Sequence, residues 1–263
     1  MMYTRRAAIS RTGGLLSAFA LARLPPAQAT PSSERPLSLA EIIENHTRAR
    51  GGAAALDSIH AEETEIELTE NGSTVEAHYR CTSDLFFRID IYDKKTHVFC
   101  EGLDAQGPWT WPSGKSEPQQ GVPDAKRTAL EGIEFNLYGL HAFPRRGHQL
   151  TVAGRERIAL VDYHVIQVDL KDSYQTFLYI DPETWLIGRR RDTRAFHPDV
   201  DPTKEHVETQ YTDFREVSGV RSAFLQHQVD LGSGEIKQIA AVRKLVYNPE
   251  INPAVMTRTY VMG

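Results

Sequence analysis

The chain has 263 residues, of which 40% are hydrophobic and 25% charged, and its formal net charge is −5. These values are ordinary for a globular protein and allow one large domain or two small ones. An acidic chain is a poor candidate for nucleic-acid binding, which depends on neutralising phosphates. We therefore expect no nucleic-acid partner.

Residues 1–29 have the pattern of an export signal. Arg5 and Arg6 precede a short apolar stretch at 13–22, and Ala27-Gln28-Ala29 offers the small residues at which a signal peptidase cuts. The apolar stretch is about half of the ~20 residues that a membrane span needs. The sequence therefore predicts a periplasmic protein that starts at Thr30 and is not an integral membrane protein. An N-terminal extension without structure is the alternative.

The export route has two candidates. Arg5 and Arg6 resemble a twin-arginine signal, although Ala8 stands where such signals usually have a large apolar residue. Arg23 near the cleavage site fits this route, and the general route stays open. No cysteine follows the cleavage site, so we expect a soluble protein without a lipid anchor. Removal of the signal takes away four arginines and no acid, which leaves a net charge of −9.

The first elements of the mature chain are predicted by capping and turn residues. After a flexible segment at 30–37, Ser38 begins a helix, because Glu41 completes a capping box. Gly51-Gly52 ends it, and a short helix covers 53–59. Glutamates then alternate with apolar residues, which predicts a strand with one wet face, and Asn71-Gly72 predicts a hairpin turn. Further strands are predicted at 74–82, 85–92, 96–102 and 107–111.

The second half is mostly β. Helical spacing over 124–140 follows a polar loop at 113–123, and strands are predicted at 150–158, 162–170, 174–181, 184–195, 205–217, 220–231 and 235–247, with an optional last strand in 249–263. Successive strands lack the intervening helices of an all-parallel α/β fold. We predict an α+β, mainly β fold: a large curved antiparallel sheet, or incomplete barrel, with helices packed against it.

The order of motifs resembles the outer-membrane lipoprotein-sorting superfamily of LolA- and LolB-like periplasmic carriers. The matching segments are the helix and Gly-Gly pair of 42–59, the hairpins at 103–112, 161–187 and 211–224, and the closing segment 246–256. Ala105-Gln106-Gly107 stands where the family usually has Asp-Gly. The resemblance implies one LolA/LolB-like domain over 38–263, with an apolar cavity for acyl chains or another hydrophobic ligand.

Aromatic residues on or beside the strands are the candidates for lining such a cavity. Trp109 and Trp111 share one face of a strand near a Pro-rich bend, and we assign them to the cavity mouth. The other candidate ligand-binding residues are Phe87, Phe99, Phe177, Tyr179 and Trp185. The alternative is that these aromatics are ordinary core residues.

An arginine run offers a second kind of contact. On a strand, Arg189 and Arg191 point to one face, and Arg190 and Arg194 to the other. Arg189 and Arg191 are candidates for contact with an anionic ligand group or a partner surface, because guanidinium groups match carboxylates and phosphates. The alternative is a solvated strand paired with nearby acids: Asp192, Glu205 or Glu208.

Residues 197–206 could hold a metal ion. His197, Asp199, Asp201 and His206 have side chains that zinc accepts. Two prolines mark the segment as a polar loop, so we favour an acidic surface loop over a metal site. The chain has no G-x-S-x-G, H-E-x-x-H or C-x-x-C motif. We therefore assign no catalytic residue, metal or cofactor.

The two cysteines fall on strands that a third strand separates in the predicted meander. Two strand spacings are roughly 9–10 Å, which is beyond the reach of a disulfide. We favour two buried free thiols for Cys81 and Cys100, with a disulfide or a reactive thiol as alternatives.

The leading hypothesis is a soluble periplasmic binding or carrier protein. It shelters a hydrophobic small molecule, lipid or acyl chain between the sheet and the helices at 39–50 and 124–140, and helix movement admits the ligand. One alternative is a cell-envelope hydrolase or metal-dependent enzyme centred on 197–206. The other is a non-enzymatic structural partner of an envelope protein complex.

Overall fold

The computed structural model describes residues 35–260 except 113, 172–173 and 198–200, and His197 by its backbone alone. The export signal predicted at 1–29 and the start of the mature chain lie outside these residues. None of the described helices combines the length and the apolar character that a membrane span requires.

The described residues contain three α-helices, whose ends follow local sequence signals. Helix α1, Leu39–Ala49, begins at the predicted capping box, in which the Ser38 amide donates to Glu41 Oε2 at 2.8 Å. Gly51 has φ of +120°, which only glycine adopts easily, and the chain turns there into α2, Ala53–Asp57. Helix α3, Pro123–Leu137, ends before the predicted residue 140, because Tyr138 is already extended with φ of −121°.

The described residues form thirteen strands, and all of their pairings are antiparallel. They are β1 Ala61–Glu70, β2 Ser73–Thr82, β3 Phe87–Asp93, β4 Thr96–Asp104, β5 Gly107–Pro112, β6 Gln119–Gln120, β7 Gln149–Ile158, β8 Val161–Asp169, β9 Gln175–Ile180, β10 Ile187–His197, β11 Asp201–Val217, β12 Val220–Asp230 and β13 Ile236–Tyr247. Short 3₁₀ turns occupy Leu140–Ala142, Pro144–Arg146 and Pro253–Met256.

The strands form a single open sheet in the order β6-β5-β4-β3-β2-β1-β13-β12-β11-β10-β9-β8-β7. Two meanders meet where β1 pairs with β13, from Glu62 opposite Tyr247 to Glu70 opposite Gln238. The sheet and its helices confirm the predicted fold class.

Helices cover one side of the sheet, which we call the helix face; the opposite side is the outer face. Under α3, one apolar cluster joins Ile133 and Leu137 of the helix to Cys81 and Leu103 of the sheet. Under α1, a second cluster joins Ile42 to β8 and β9 through Ile166, Val168, Leu178 and Ile180. These two clusters hold the helices in place.

Further details differ from the sequence prediction. Strand β11 begins at Asp201 and not at 205, so 201–206 of the predicted polar loop is strand, paired with β10. Strand β10 begins at Ile187 and not at 184, because Trp185 has φ of +59° in the preceding turn. Strand β6 was not predicted. The optional last strand in the tail is wrong for the part of 249–260 that the structure describes, where a 3₁₀ turn stands instead.

Candidate functional site

A row of apolar side chains crosses the helix face next to α3. The register of five consecutive strand pairs aligns it: Val242, Ile66, Ala77, Ile91, Phe99 and Pro112 are successive cross-strand neighbours. Paired residues of an antiparallel sheet point to the same face. We call these six residues the apolar row. Five strand spacings give it a length of about 24 Å.

Within the apolar row, Ala77 and Val242 are buried, but the larger side chains are less covered than the clusters beside them. Cys81, two positions along β2 from Tyr79, is fully buried under α3, and Tyr79 accepts a hydrogen bond from Asn136 of α3 at 2.8 Å. At the level of Ala77, the next residue of β2 on this face beyond Tyr79, the side chains of Ile66, Ile91 and Phe99 are only half-buried. The row therefore begins where the cover of α3 ends.

Neighbouring positions widen this apolar surface. Leu68 and Val75 are paired across β1 and β2 in the next row outward, and Ile89 lies one row inward on β3. All three side chains are half-buried. A contiguous apolar patch that no other element covers completely is the kind of surface that binds a hydrophobic ligand or partner.

Buried charges fasten α3 to the rest of the fold. Glu134 accepts two hydrogen bonds from Arg146, at 2.6 and 2.8 Å. Burial opposes its charge, but these bonds and the neighbouring His148 outweigh burial and place the pKa of Glu134 below its ordinary value. Glu131 lies 3.5 Å from Arg190 of β10. Unlike apolar packing, such contacts depend on the charge state of the partners.

Two buried carboxyl groups on the helix face hold their protons unusually tightly. Burial raises the pKa of Glu131 to about 7, although Arg190 opposes the shift. Burial also raises the pKa of Glu62 to about 7, against the hydrogen bond from Thr64 and the charge of Arg50. Near neutral pH both groups are therefore partly protonated.

The structure divides the sequence-predicted aromatic residues between the two faces. Phe99 belongs to the apolar row, and Phe87 packs against the cluster under α3. Trp109 and Trp111 do share a face, because they pair with Gly102 and Cys100, but that face is the outer one. Trp109 is 1% exposed, whereas Trp111 is half-buried.

Phe177 and Tyr179 also lie on the outer face, beside Tyr163 and Val165. Trp185 is at the turn between β9 and β10, where its ring stacks on His164 with centroids 5.4 Å apart and its carbonyl accepts a hydrogen bond from His46 of α1. The seven candidate residues are thus not brought to one site, and their role in ligand binding stays a prediction.

Arg189 and Arg191 point to the outer face, as the alternation predicts, and both are paired. Glu208 accepts from both guanidinium groups, and Glu156 accepts from Arg191 at 2.8 Å. The ring of Tyr179 lies 4.6 Å from the Arg191 guanidinium carbon. This arrangement favours the interpretation in which nearby acids neutralise these arginines.

The 197–206 segment gives no compact ligand set within the described residues. Asp199 and the His197 side chain lie outside them. Asp201 accepts a hydrogen bond from the Thr203 amide at 2.9 Å, and the His206 ring forms a hydrogen bond with the Thr193 hydroxyl at 2.9 Å. Five residues of strand separate Asp201 from His206 by about 16 Å, which is too far for one ion.

Both cysteines are free and buried, as predicted. Cys81 faces the helices, and Cys100 faces outward with Asp90, so the sheet separates the two sulfur atoms. Burial raises the pKa of both thiols, which disfavours the reactive-thiol alternative.

Cys100, Asp90 and His97 offer ligand atoms within 4.8 Å of one another. However, Arg88 already binds Asp90 with two hydrogen bonds, at 2.7 and 2.8 Å, which opposes a cation there.

No protein-family model matches the sequence, and a comparison with curated proteins finds no match. Solved structures do match. A LolA superfamily protein from Nitrosomonas europaea has 12% identity and a TM-score of 0.55, and the match covers 86% of this chain and 100% of that one. A DUF1329 family protein from Desulfovibrio piger has 10% identity and a TM-score of 0.50, over 84% of this chain and 97% of that one. The chain has the LolA-type fold.

Within this LolA-type fold, the sequence-based search found the aromatic residues and missed most of the apolar row. The missed signal was the alternation of aliphatic with charged residues: Ile66 and Leu68 flank Glu67, and Ile89 and Ile91 flank Asp90. Each strand shows only two or three such positions. Only the pairing of six strands turns them into a continuous surface.

Proposed function

We propose that the protein is a periplasmic binding or carrier protein that holds a hydrophobic or acylated ligand along the apolar row. The incompletely buried side chains of Ile66, Ile91 and Phe99 carry this proposal. The LolA-type fold supports it, because the sequence resemblance to the lipoprotein-sorting carriers and the structural likeness point to the same fold. No catalytic group is required.

Binding is non-covalent in this proposal. Each Å² of apolar surface that the ligand and the row remove from water contributes about 25 cal/mol. A chain-like ligand fits a row of about 24 Å that crosses the strands. Phe99 supplies the largest contact in the row, and Ile66 and Ile91 flank its centre.

Helix α3 is the movable cover in this proposal. It borders β1, β2, β4 and β5, and Arg146 holds it through two hydrogen bonds to Glu134. An outward shift of α3 exposes the apolar cluster beneath the helix, which includes Phe87 and Leu103. The ligand then replaces part of the apolar contact that α3 gives up.

The test measures binding of palmitate by displacement of Nile red, a neutral apolar fluorophore. Ile66→Asn and Ile91→Asn place an amide in the middle of the row. Because burying an aliphatic side chain is worth about 1.5–3 kcal/mol, we expect each variant to bind palmitate at least about tenfold more weakly.

Leu225→Asn is the matched control. Leu225 is also a half-buried aliphatic residue, but it pairs with Ala241 on the outer face. We expect its affinity for palmitate to equal that of the unaltered protein. An equal loss in all three variants, or no displacement of Nile red by palmitate, contradicts the proposal.

A further inference from the structure

Helix α3 buries one of its acids against strand β10. Glu131 is 4% exposed, and its Oε1 lies 3.5 Å from Nη2 of Arg190. The same guanidinium group is held more closely by its own strand, because Arg190 Nε donates to Asp192 Oδ2 at 2.9 Å. Glu131 therefore places its carboxyl group next to a cation that already has an acidic partner.

The helix also covers Arg190. The ring of Phe135, one turn after Glu131 on α3, lies 5.2 Å from the guanidinium carbon of Arg190. An outward shift of α3, as in the proposed function, therefore brings both Glu131 and Arg190 into water. Conversely, docking of α3 on the sheet removes water from the carboxyl group of Glu131, which costs more free energy when the group is ionised.

Further charged and titratable groups surround this contact. Those that face Glu131 from the sheet and its loops are Arg190, Asp192 and Arg194 of β10, Tyr174 just before β9, and Tyr211 of β11. Arg194 Nε lies 3.8 Å from Asp192 Oδ2. On α3 itself, Arg127 is one turn before Glu131 and is paired with Asp124 at 3.2 Å. Both arginines of β10 thus have Asp192 close by, and neither serves Glu131 alone.

Docking of α3 is consequently coupled to a proton. Burial opposes the charge of Glu131 more strongly than Arg190 favours it, so the pKa of this carboxyl group rises from 4.5 to about 7 in the docked helix. Between these values, the docked state binds the proton more tightly than a state in which Glu131 is exposed to water. The free energy of docking therefore becomes less favourable as the pH rises through this window.

We propose that Glu131 makes the cover of the apolar row sensitive to pH: its protonated form keeps α3 on the sheet, and its ionised form promotes the outward shift that admits a ligand. The inference rests on the proposed function, in which α3 is the movable cover. It adds a regulation of that site. The protein takes up a hydrophobic ligand more readily at mildly alkaline than at mildly acidic pH.

Hydrogen exchange of the amides of 123–137 measures how often α3 leaves the sheet, once the rates are corrected for the intrinsic effect of pH. With a pKa of 4.5 in the exposed state and about 7 in the docked state, the equilibrium constant for opening should rise about tenfold between pH 6 and pH 8. Amides of β12, in the middle of the sheet, are the internal reference for unfolding of the whole domain.

Glu131→Gln replaces the acid by a neutral group of nearly the same size. The variant should hold α3 at pH 8 as firmly as the unaltered protein does at pH 6, and most of the tenfold difference should disappear. The measurement on the unaltered protein decides even if this variant does not fold, because exchange of α3 that is equal at the two pH values overturns the proposal.

Glu134→Gln is the matched control. Glu134 is the next buried acid of α3, but the hydrogen bonds from Arg146 outweigh burial and keep its pKa below the ordinary value. The variant also removes the acid that faces His148, another titratable side chain beside α3. It should weaken docking at both pH values and keep the tenfold dependence on pH.

Nile red tests the consequence for binding, because this probe stays neutral at both pH values. When only the open form binds, the apparent affinity follows the fraction of open protein. The unaltered protein should therefore bind Nile red about tenfold more tightly at pH 8 than at pH 6, and Glu131→Gln should bind it equally at both.

The outcomes separate the two proposals. If Nile red and palmitate bind but Glu131→Gln keeps the full pH dependence of α3 exchange, the role of Glu131 is wrong while the carrier function stands. If α3 exchange depends on pH through Glu131 but neither molecule binds, the pH-sensitive docking of α3 stands and the carrier function fails.

Discussion

On the outer face, Arg88 is 1% exposed between the rings of Trp109 and Tyr260, binds Asp90 with two hydrogen bonds, and donates to carbonyl groups of the C-terminal segment. On the helix face, Ile91, three residues further along the same strand, is half-buried in the apolar row. One strand thus presents a satisfied ionic core on one side and an open apolar surface on the other.

This difference between the two faces indicates that the outer face contributes mainly to stability and the helix face mainly to binding. A buried charge with every hydrogen bond made has nothing left to offer a ligand, however large the aromatic rings around it. A half-covered aliphatic row is an apolar surface whose burial a ligand can complete. Substitutions on the outer face should therefore affect mainly folding, and substitutions on the helix face mainly binding.

The largest effect is expected for Arg88→Met. The variant leaves the fully buried carboxylate of Asp90 without its main partner and removes the hydrogen bond to the Val255 carbonyl. Breaking one partner of a buried pair costs about 3–5 kcal/mol of unfolding free energy. Urea unfolding followed by circular dichroism measures this loss, and hydrogen exchange at 253–260 should accelerate.

Arg215→Met is the control for this variant. Arg215 also binds an acid two residues away, Asp213, but the side chains are 56% and 42% exposed. Solvent screens exposed pairs and leaves them little effect on stability, so this variant should unfold at nearly the same urea concentration as the unaltered protein. Similar losses in both variants contradict the view that the outer face is the stabilising one.

A smaller, pH-dependent effect is expected on the helix face for Glu62→Gln. Burial raises the pKa of Glu62 from 4.5 to about 7, so between these values the folded protein binds this proton more tightly than the unfolded chain does. The contribution of Glu62 to the unfolding free energy therefore falls as the pH rises through this window. We compare the unfolding free energy of Glu62→Gln with that of the unaltered protein at each pH. This difference should shift in favour of the variant by up to about 3 kcal/mol between pH 5 and pH 8.

His46→Asn provides a control of opposite sign. Burial lowers the pKa of His46 from 6.5 to about 4, so the unfolded chain takes up this proton first and acid destabilises the fold between these values. Without the imidazole, the variant should gain stability relative to the unaltered protein as the pH falls from 8 to 5. If both variants shift in the same direction, the assignment of the two buried groups is wrong.

Local patterns predicted much of this structure. The capping box at Ser38, the Asn71-Gly72 turn and the alternation of the strands need only neighbouring residues, and all are present. The same alternation predicted that Trp109 and Trp111 share a face. It could not predict which face the helices cover, because that depends on where α3 docks after the strands have paired.

The apolar row shows why the rest was not predictable. Its first pair joins Ile66 of β1 to Val242 of β13, at opposite ends of the described chain, and no local pattern encodes that pairing. The buried charged group on the helix face likewise joins Arg190 and Asp192 of β10 to Glu131 of α3, which come from separate segments of the chain.

The smallest effect is expected for Trp111→Ala, which decides between the two faces as the ligand site. The sequence assigns Trp111 to the mouth of a cavity, whereas the structure puts it on the outer face, where its indole donates to the Lys115 carbonyl at 2.9 Å. Because the ligand lies on the helix face in our proposal, palmitate should displace Nile red from this variant at the same concentration as from the unaltered protein. Phe99→Ala, on the helix face of the neighbouring strand, removes a comparable aromatic ring and should weaken binding at least about tenfold. If Trp111→Ala weakens binding and Phe99→Ala does not, the ligand lies on the outer face, and the sequence-based assignment of the mouth is preferred to the apolar row.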